Sequence, residues 1–306
     1  MSLKPPFVAG LSSIILMVMG LNSSASVAET VTLKDQNELV CAKVRAKLTG
    51  FGQQPLSREL TLLLFEASKK NCGLLVQNLV TKGAAVKARD RSASSPLMNA
   101  AGAGNLDILQ YLQSVGADIS HSSLRGNTAL LVAVRSNRAK VVKYLLKQGV
   151  DPNTQSLDKI TPLSAACFDG NTRLVKYLLD AGADATMEDG VGKAPIIYAA
   201  AKGFSDIVAT LITKGVDPNK VYKSRLSALM WAAGHTSDTP ASDGVETINI
   251  LVENGAKLNL QDDRGRTALS YAYQLNNKAA VDVLLSLGAD FNIRDNSKKL
   301  AVSYAP

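Results

Sequence analysis

The 306-residue sequence predicts an all-α solenoid of paired antiparallel helices joined by hairpin-like loops, on three observations. Glycines recur at Gly83, Gly116, Gly149, Gly182 and Gly215, each 33 residues after the last, then at Gly255 after 40 and Gly288 after 33. A second mark keeps the same register: Ser95-Pro96-Leu97, Thr128-Ala129-Leu130, Thr161-Pro162-Leu163, Ala194-Pro195-Ile196, Ser227-Ala228-Leu229 and Thr267-Ala268-Leu269. Between the marks, apolar residues fall at helical spacing, as in Val141, Val142, Tyr144, Leu145 and Leu146. Two marks sharing one period and one seven-residue slip identify an internal repeat, and a single repeat cannot bury its own apolar face, so the units must stack.

From the N-terminus, residues 1–28 read as a secretory leader. Lys4 is a short basic start, Phe7 to Met19 is largely apolar, and Ser26-Val27-Ala28 places small residues before a cleavage point after Ala28. The competing reading, a membrane anchor, needs a longer apolar run, so the mature chain is expected to be exported and not membrane-spanning. Residues 29–56 read as a capping helix and linker. Asp35-x-x-Glu38 resembles a capping box, and Val40, Val44 and Leu48 form an apolar stripe on a helix over 35–49. That stripe covers the first repeat or docks a partner.

Residues 57–306 hold the repeats. A degenerate first unit, 57–89, aligns through Leu64, Ala67 and Gly83. Six full units span 90–294 and begin near Asp90, Ser123, Ser156, Asp189, Tyr222 and Asp262; a truncated C-terminal unit follows at 295–306. Within a unit, Thr or Ser caps the first helix and Pro sits in its first turn. Ala pairs such as Ala100-Ala101 and Ala199-Ala200 let neighbouring helices approach. A turn at Gly104-Asn105, Asn137-Arg138, Gly170-Asn171 or Gly203-Phe204 reverses the chain, and the periodic glycine ends the second helix. The seven extra residues fall in Thr236–Asp243, whose Thr239-Pro240 and Ser/Asp content predict a loop that serves binding or is merely tolerated.

The 33-residue period, Thr161-Pro162-Leu163, the Ala pairs and endings such as Gly116-Ala117-Asp118 and Gly182-Ala183-Asp184 resemble the ankyrin repeat over roughly residues 57 to 306. The sequence departs from that pattern where a His usually follows Thr-Pro-Leu, with Met98, Leu131, Ser164, Ile197, Met230 and Ser270 instead. The resemblance implies a protein-binding scaffold whose partners meet the loop tips and first-helix ends of a concave face. In this register the tips offer Arg91, Arg125, Leu157, Asp158, Ile160, Lys193, Lys223, Leu226, Arg264 and Arg266, and the helix ends offer Arg135, Phe168, Asp169, Lys202 and His235. Trp231 shares one repeat position with Tyr198 and Tyr271 and is read as an anchor or as ladder packing; for the two tyrosines packing is the expectation.

Composition, 46% apolar and 20% charged, is globular. Removing the leader takes away Lys4 and no acidic residue, so a formal charge of +8 becomes +7. A basic exported surface favours an acidic protein, the anionic cell wall or headgroups, and makes nucleic acid an unexpected target. Cys41, Cys72 and Cys167 form no CxxC pair, and with only His121 and His235 they are too scattered for a metal site. An oxidising compartment allows one disulfide, expected between Cys41 of the capping helix and Cys72 of the first inter-helix turn, with Cys167 a buried free thiol.

No catalytic or cofactor motif emerges. Gly102-x-Gly104 is a turn, Ser156-x-x-Lys159 lacks its companion motifs, and Asp118, Asp151, Asp184, Asp217 and Asp290 recur with the repeat. The chain is therefore read as a non-enzyme. A leader joined to ankyrin repeats resembles the periplasmic ankyrin proteins of Gram-negative bacteria, whose roles include supporting stress enzymes such as catalases and self-protection (immunity) against secreted peptidoglycan hydrolases. The resemblance implies a chain that is monomeric when free and inhibits one periplasmic hydrolase bearing an acidic patch. The alternative is an adaptor or stabiliser of an envelope or stress-defence enzyme.

Overall fold

The computed structural model describes residues 33–52, 54–234 and 241–305, and of 33–35 and 241–243 it describes the backbone alone. The leader with its cleavage point after Ala28, and His235, lie outside the described residues. Those residues form fifteen α-helices and two 3-10 turns, with isolated β-bridges and no strand. Among them no helix is long and apolar enough to cross a membrane. The chain divides into two compact units, one ending at Val86 and one beginning at Lys87.

The first unit holds α1 (Leu33–Gly50), α2 (Ser57–Lys69) and α3 (Gly73–Thr81). Because α1 starts at Leu33, Asp35 lies inside the helix and cannot cap it, which corrects the capping box expected there. The apolar stripe turns inward: Val44 is buried, Val40 and Leu48 are half-buried, and α1 packs on α2. Lys47 Nζ meets Glu66 Oε1 at 2.8 Å, and Asn37 Nδ2 donates to the Asn71 carbonyl. Cys41 and Cys72 are joined by a disulfide, their Cα atoms 5.5 Å apart. At the start of α2, Glu59 Oε2 accepts the Leu56 N–H at 2.8 Å, a stop for one of the orphan donors of a helix start.

The second unit alternates short first helices with second helices. These are α4 (Pro96–Ala103) and α5 (Leu106–Ser114), α6 (Ala129–Arg135) and α7 (Ala139–Lys147), α8 (Pro162–Phe168) and α9 (Thr172–Asp180), and α10 (Pro195–Ala201) and α11 (Ser205–Thr213). Then come α12 (Ala228–Ala233) and α13 (Ala241–Glu253), α14 (Ala268–Gln274) and α15 (Lys278–Ser286). The first helices stack in chain order and end on a 3-10 turn, Ala301–Tyr304; α7, α9, α11, α13 and α15 stack beside them.

Five of the six first helices begin at a Ser or Thr cap, and α10, whose cap position is Ala194, begins at Pro195 instead. Thr128 Oγ1 accepts the Leu131 N–H at 3.2 Å, and Thr161 Oγ1 accepts that of Ser164 at 3.0 Å. At two sites where the family's usual His is missing, Ser164 and Ser270 accept the N–H of Thr161 and Thr267 and complete a capping box. Leu97, Leu130, Leu163 and Ile196, from α4, α6, α8 and α10, are fully buried, and each such side chain contributes roughly 2 kcal/mol of apolar burial. The periodic glycines follow the second helices with φ between 79° at Gly149 and 95° at Gly83, a left-handed turn that costs glycine least.

The sixth-unit insertion needs a correction. The Thr236–Asp243 segment is not all loop, because α13 starts at Ala241 and runs thirteen residues where α11 runs nine. Extending an existing helix adds a hydrogen bond per residue without a new nucleation cost, so part of the insertion is absorbed as helix. Residues 235–240 lie outside the described residues.

Candidate protein-binding face

The hairpin tips of the second unit are built by their opening residues. Asp90 Oδ1 accepts the N–H groups of Ser92 and Ser94, Asp189 those of Val191 and Lys193, Asp262 those of Arg264 and Arg266, and Asp295 those of Ser297 and Lys299, all within 2.9 Å. In two tips a hydroxyl does the same work more lightly: Ser123 Oγ accepts from Asn127 and Ser156 Oγ from Ile160. Neighbouring tips are then tied by backbone bonds, Leu124 N–H to Ser92 O, Leu157 N–H to Arg125 O and Gly190 N–H to Asp158 O, at 2.8–2.9 Å. Held this way, Arg91, Arg125, Leu157, Asp158, Lys223 and Arg264 are exposed, whereas Ile160, Lys193, Leu226 and Arg266 are half-buried.

Ser156 and Lys159 therefore belong to a turn: Ser156 Oγ braces it and Lys159 occupies its left-handed position at φ 56°. The Gly-Ala-Asp carboxylates also serve the backbone. Asp118, Asp151, Asp184, Asp217 and Asp290 each accept the N–H two residues on, at 2.7–2.9 Å. Among the described residues no group of three His, Cys, Asp or Glu could hold a metal ion. His121 Nε2 donates to the Ala93 carbonyl at 2.7 Å.

A row of rings lies beside the tips. Tyr198 donates its hydroxyl to Asp189, Tyr271 to Asp262 at 2.8 Å, and Tyr304 to Asp295, so each tyrosine locks a first helix, or the final 3-10 turn, to its own tip. Burial, reinforced by Asp189, pushes the Tyr198 phenol pKa up. Phe168 meets the Tyr198 ring edge-on with centroids 5.7 Å apart. Cations interleave with these rings: Lys193 Nζ lies 4.2 Å from the Trp231 ring and 5.6 Å from that of Tyr198, Lys202 5.1 Å from Phe168, and the Arg266 guanidinium 4.3 Å from Tyr304.

Between α6, α8 and α10 this face opens into a groove of about 380 Å³ lined by Arg135, Ile160, Ser164, Ala165, Phe168, Asp169 and Tyr198. Partial burial raises the Asp169 carboxyl pKa, against the pull of Arg135 and Lys202. Four of the residues singled out from the sequence thus meet in one place, Arg135, Ile160, Phe168 and Asp169, with Lys202 at the Phe168 ring. Arg91, Lys223, Leu226, Arg264 and Arg266 stand on other tips, outside the groove.

Sequence reasoning missed two exposed apolar residues on the tips next to Leu157, Leu124 at the equivalent position and Val191 one place further on; Leu157 itself is 73% exposed. Their signal was present: an apolar residue one or two places after the polar residue that opens the tip. It also assigned Tyr198 and Tyr271 to packing, whereas both are half-buried, with hydroxyls spent on the tips, and the Tyr198 ring walls the groove.

A family model described as ankyrin repeats matches three times, over residues 64–156, 149–222 and 199–295. Among solved structures, the crystal structure of the human ASB11 ankyrin repeat domain is similar, with 26% identity and a TM-score of 0.63 over 70% of this chain and 92% of that one. No curated protein sequence matches the chain.

Proposed function

The chain belongs to the ankyrin-repeat family, a protein-interaction scaffold, and from that membership we propose that the face between Arg91 and Arg266 holds an acidic protein partner. The observation that carries this reading is the interleaving of cations with rings around the groove, from Arg135 and Lys202 at the exposed Phe168 to Lys193 between the half-buried Tyr198 and Trp231. Arg and aromatic side chains are the usual anchors of protein interfaces, and rings fixed in place lose little entropy on binding.

The finer reading is that the chain is exported, loses its leader after Ala28, and blocks one periplasmic peptidoglycan-active hydrolase as self-protection. Its support is the leader pattern of residues 1–28, the +7 charge of the remainder and a continuous face suited to one protein. The test starts with capture of the partner on the mature chain from a periplasmic extract, followed by a turnover assay of that partner. Turnover should fall to zero near one equivalent of added chain. Turnover that is unchanged or raised at saturation overturns inhibition and supports a stabiliser, as would suit a catalase. Reversing Arg125 and Arg135 together to Glu should weaken the complex and flatten its salt dependence, because exposed charges steer encounter. Melting should move by less than about 0.5 kcal/mol, as is usual for exposed positions. Loss of binding on Lys143→Glu instead, out on α7, would place the interface on the second helices.

A further inference from the structure

Nine residues after each tip-opening residue, successive units carry Tyr198, Trp231, Tyr271 and Tyr304. In the unit before Tyr198 the same position, 33 residues earlier, is Ala165. Asp189, Asp262 and Asp295 each take a hydroxyl from the tyrosine nine residues on, while Ala165 follows Ser156, whose hydroxyl accepts the Ile160 N–H. Ala165 lines the groove at the position where each of the four units that follow places a ring, the two units before it carrying Asn99 and Val132 there. Its walls are still those of a ring's neighbours. Phe168 and Tyr198 stand edge to face at 5.7 Å, with Ile160 beside them. Its rim is cationic: Arg135 lines it, Lys202 lies over Phe168 and Lys193 over Tyr198, against the carboxylate of Asp169.

We propose that the groove at Ala165 receives an aromatic side chain carried on an acidic segment of the partner, the guest ring filling the position that this unit leaves empty. The inference rests on the reading of this face as the binding surface, and it adds the chemistry of what binds. A ring is favoured over an aliphatic chain because two aromatic walls at right angles offer both edge-to-face and offset stacking. The acidic setting follows from the rim: carboxylates beside the ring meet Arg135, Lys193 and Lys202, and complementary charge supplies register and speed of encounter.

The test uses a fluorescein-labelled peptide, Asp-Asp-Phe-Glu-Glu, and its anisotropy with the mature chain. Replacing the peptide's Phe by Ala, or filling the groove from inside with Ala165→Phe, should each weaken binding at least about tenfold, the effect of losing an interface anchor. Circular dichroism and a melting curve check that Ala165→Phe folds. The double variant Ser156→Asp with Ala165→Tyr is a second filler, because it installs the Asp–Tyr pair already present at Asp189 and Tyr198. Binding that is indifferent to the peptide's Phe and to both fillers overturns the inference, as does no binding to the unmodified chain at about 1 mM peptide, the weak end of specific affinity. A partner captured from extract equally by the unmodified chain and by Ala165→Phe leaves the face as a protein-binding surface and removes the groove from it. A partner lost on reversing Arg125 and Arg135 but kept by both fillers has the same meaning.

Discussion

Asp262 is almost wholly buried, yet its carboxylate is satisfied: one oxygen takes the N–H groups of Arg264 and Arg266, the other the hydroxyl of Tyr271. Arg264 Nη2 in turn donates to that hydroxyl at 2.7 Å. Tyr271→Phe removes one bond to a buried charge and should cost about 1–2 kcal/mol in urea unfolding. Asp184 gives a pH prediction. Bonds from the Thr186 hydroxyl and N–H hold its carboxyl below the ordinary aspartate range. A folded-state pKa lower than the unfolded one contributes stability above the ordinary aspartate range, and that contribution is lost as pH falls through the folded value. Thr186→Val should therefore lower the melting temperature at pH 7, and the difference from the unmodified chain should shrink on acidification. The recurrence of Asp184 and its counterparts was plain in the sequence. That each bonds the N–H two residues on is a matter of loop conformation, which spacing alone does not reveal.

Helix ends and tips depend on glycine for two separate reasons. Gly149 lies at φ 79° with open space where a Cβ would go, so Gly149→Ala pays only the left-handed backbone term of about 1 kcal/mol. Gly126 lies at φ 71°, and a Cβ there would sit 3.0 Å from Leu157 N in the next tip. Gly126→Ala should cost more than Gly149→Ala and loosen the Leu157 N–H to Arg125 O bond, read as faster amide exchange at Leu157. The start of each first helix was legible because caps and prolines are local signals. The extent of the sixth unit's second helix was not. Whether inserted residues continue a helix or leave it depends on the backbone bonds open to them, and α13 took up Ala241–Asp243.

The first unit is closed by a cross-link over 31 residues, from Cys41 on α1 to Cys72 at the start of α3. Replacing both cysteines by Ser restores loop entropy to the unfolded chain and should cost about 3 kcal/mol. The loss should appear as faster hydrogen exchange along α1 and α3. Cys167, in α8, is fully buried, and that burial pushes its thiol pKa up. Alkylation followed by intact mass, without reductant, should then modify no cysteine in the folded protein and one in denaturant. Two or three modified cysteines in denaturant would show that the cross-link had not formed.

Period, caps and helix-ending glycines are local and repeat in register, so the chain alone discloses an all-α stack and its helix order, and the resemblance to the ankyrin repeat adds a protein-binding scaffold. The same register placed Arg135, Phe168, Asp169 and Lys202 on one face, because residues 33 apart occupy equivalent places in a stack. It could not disclose the groove. An alanine at position 165 reads as one more small residue in a helix rich in them, and stands out only once it is seen to line a groove with Phe168 and Tyr198. Nor could it separate the tyrosines from the core. Their rings pack while their hydroxyls reach tips nine residues back, a bond set by how helix and loop fold onto each other and not by the polarity of the residues between.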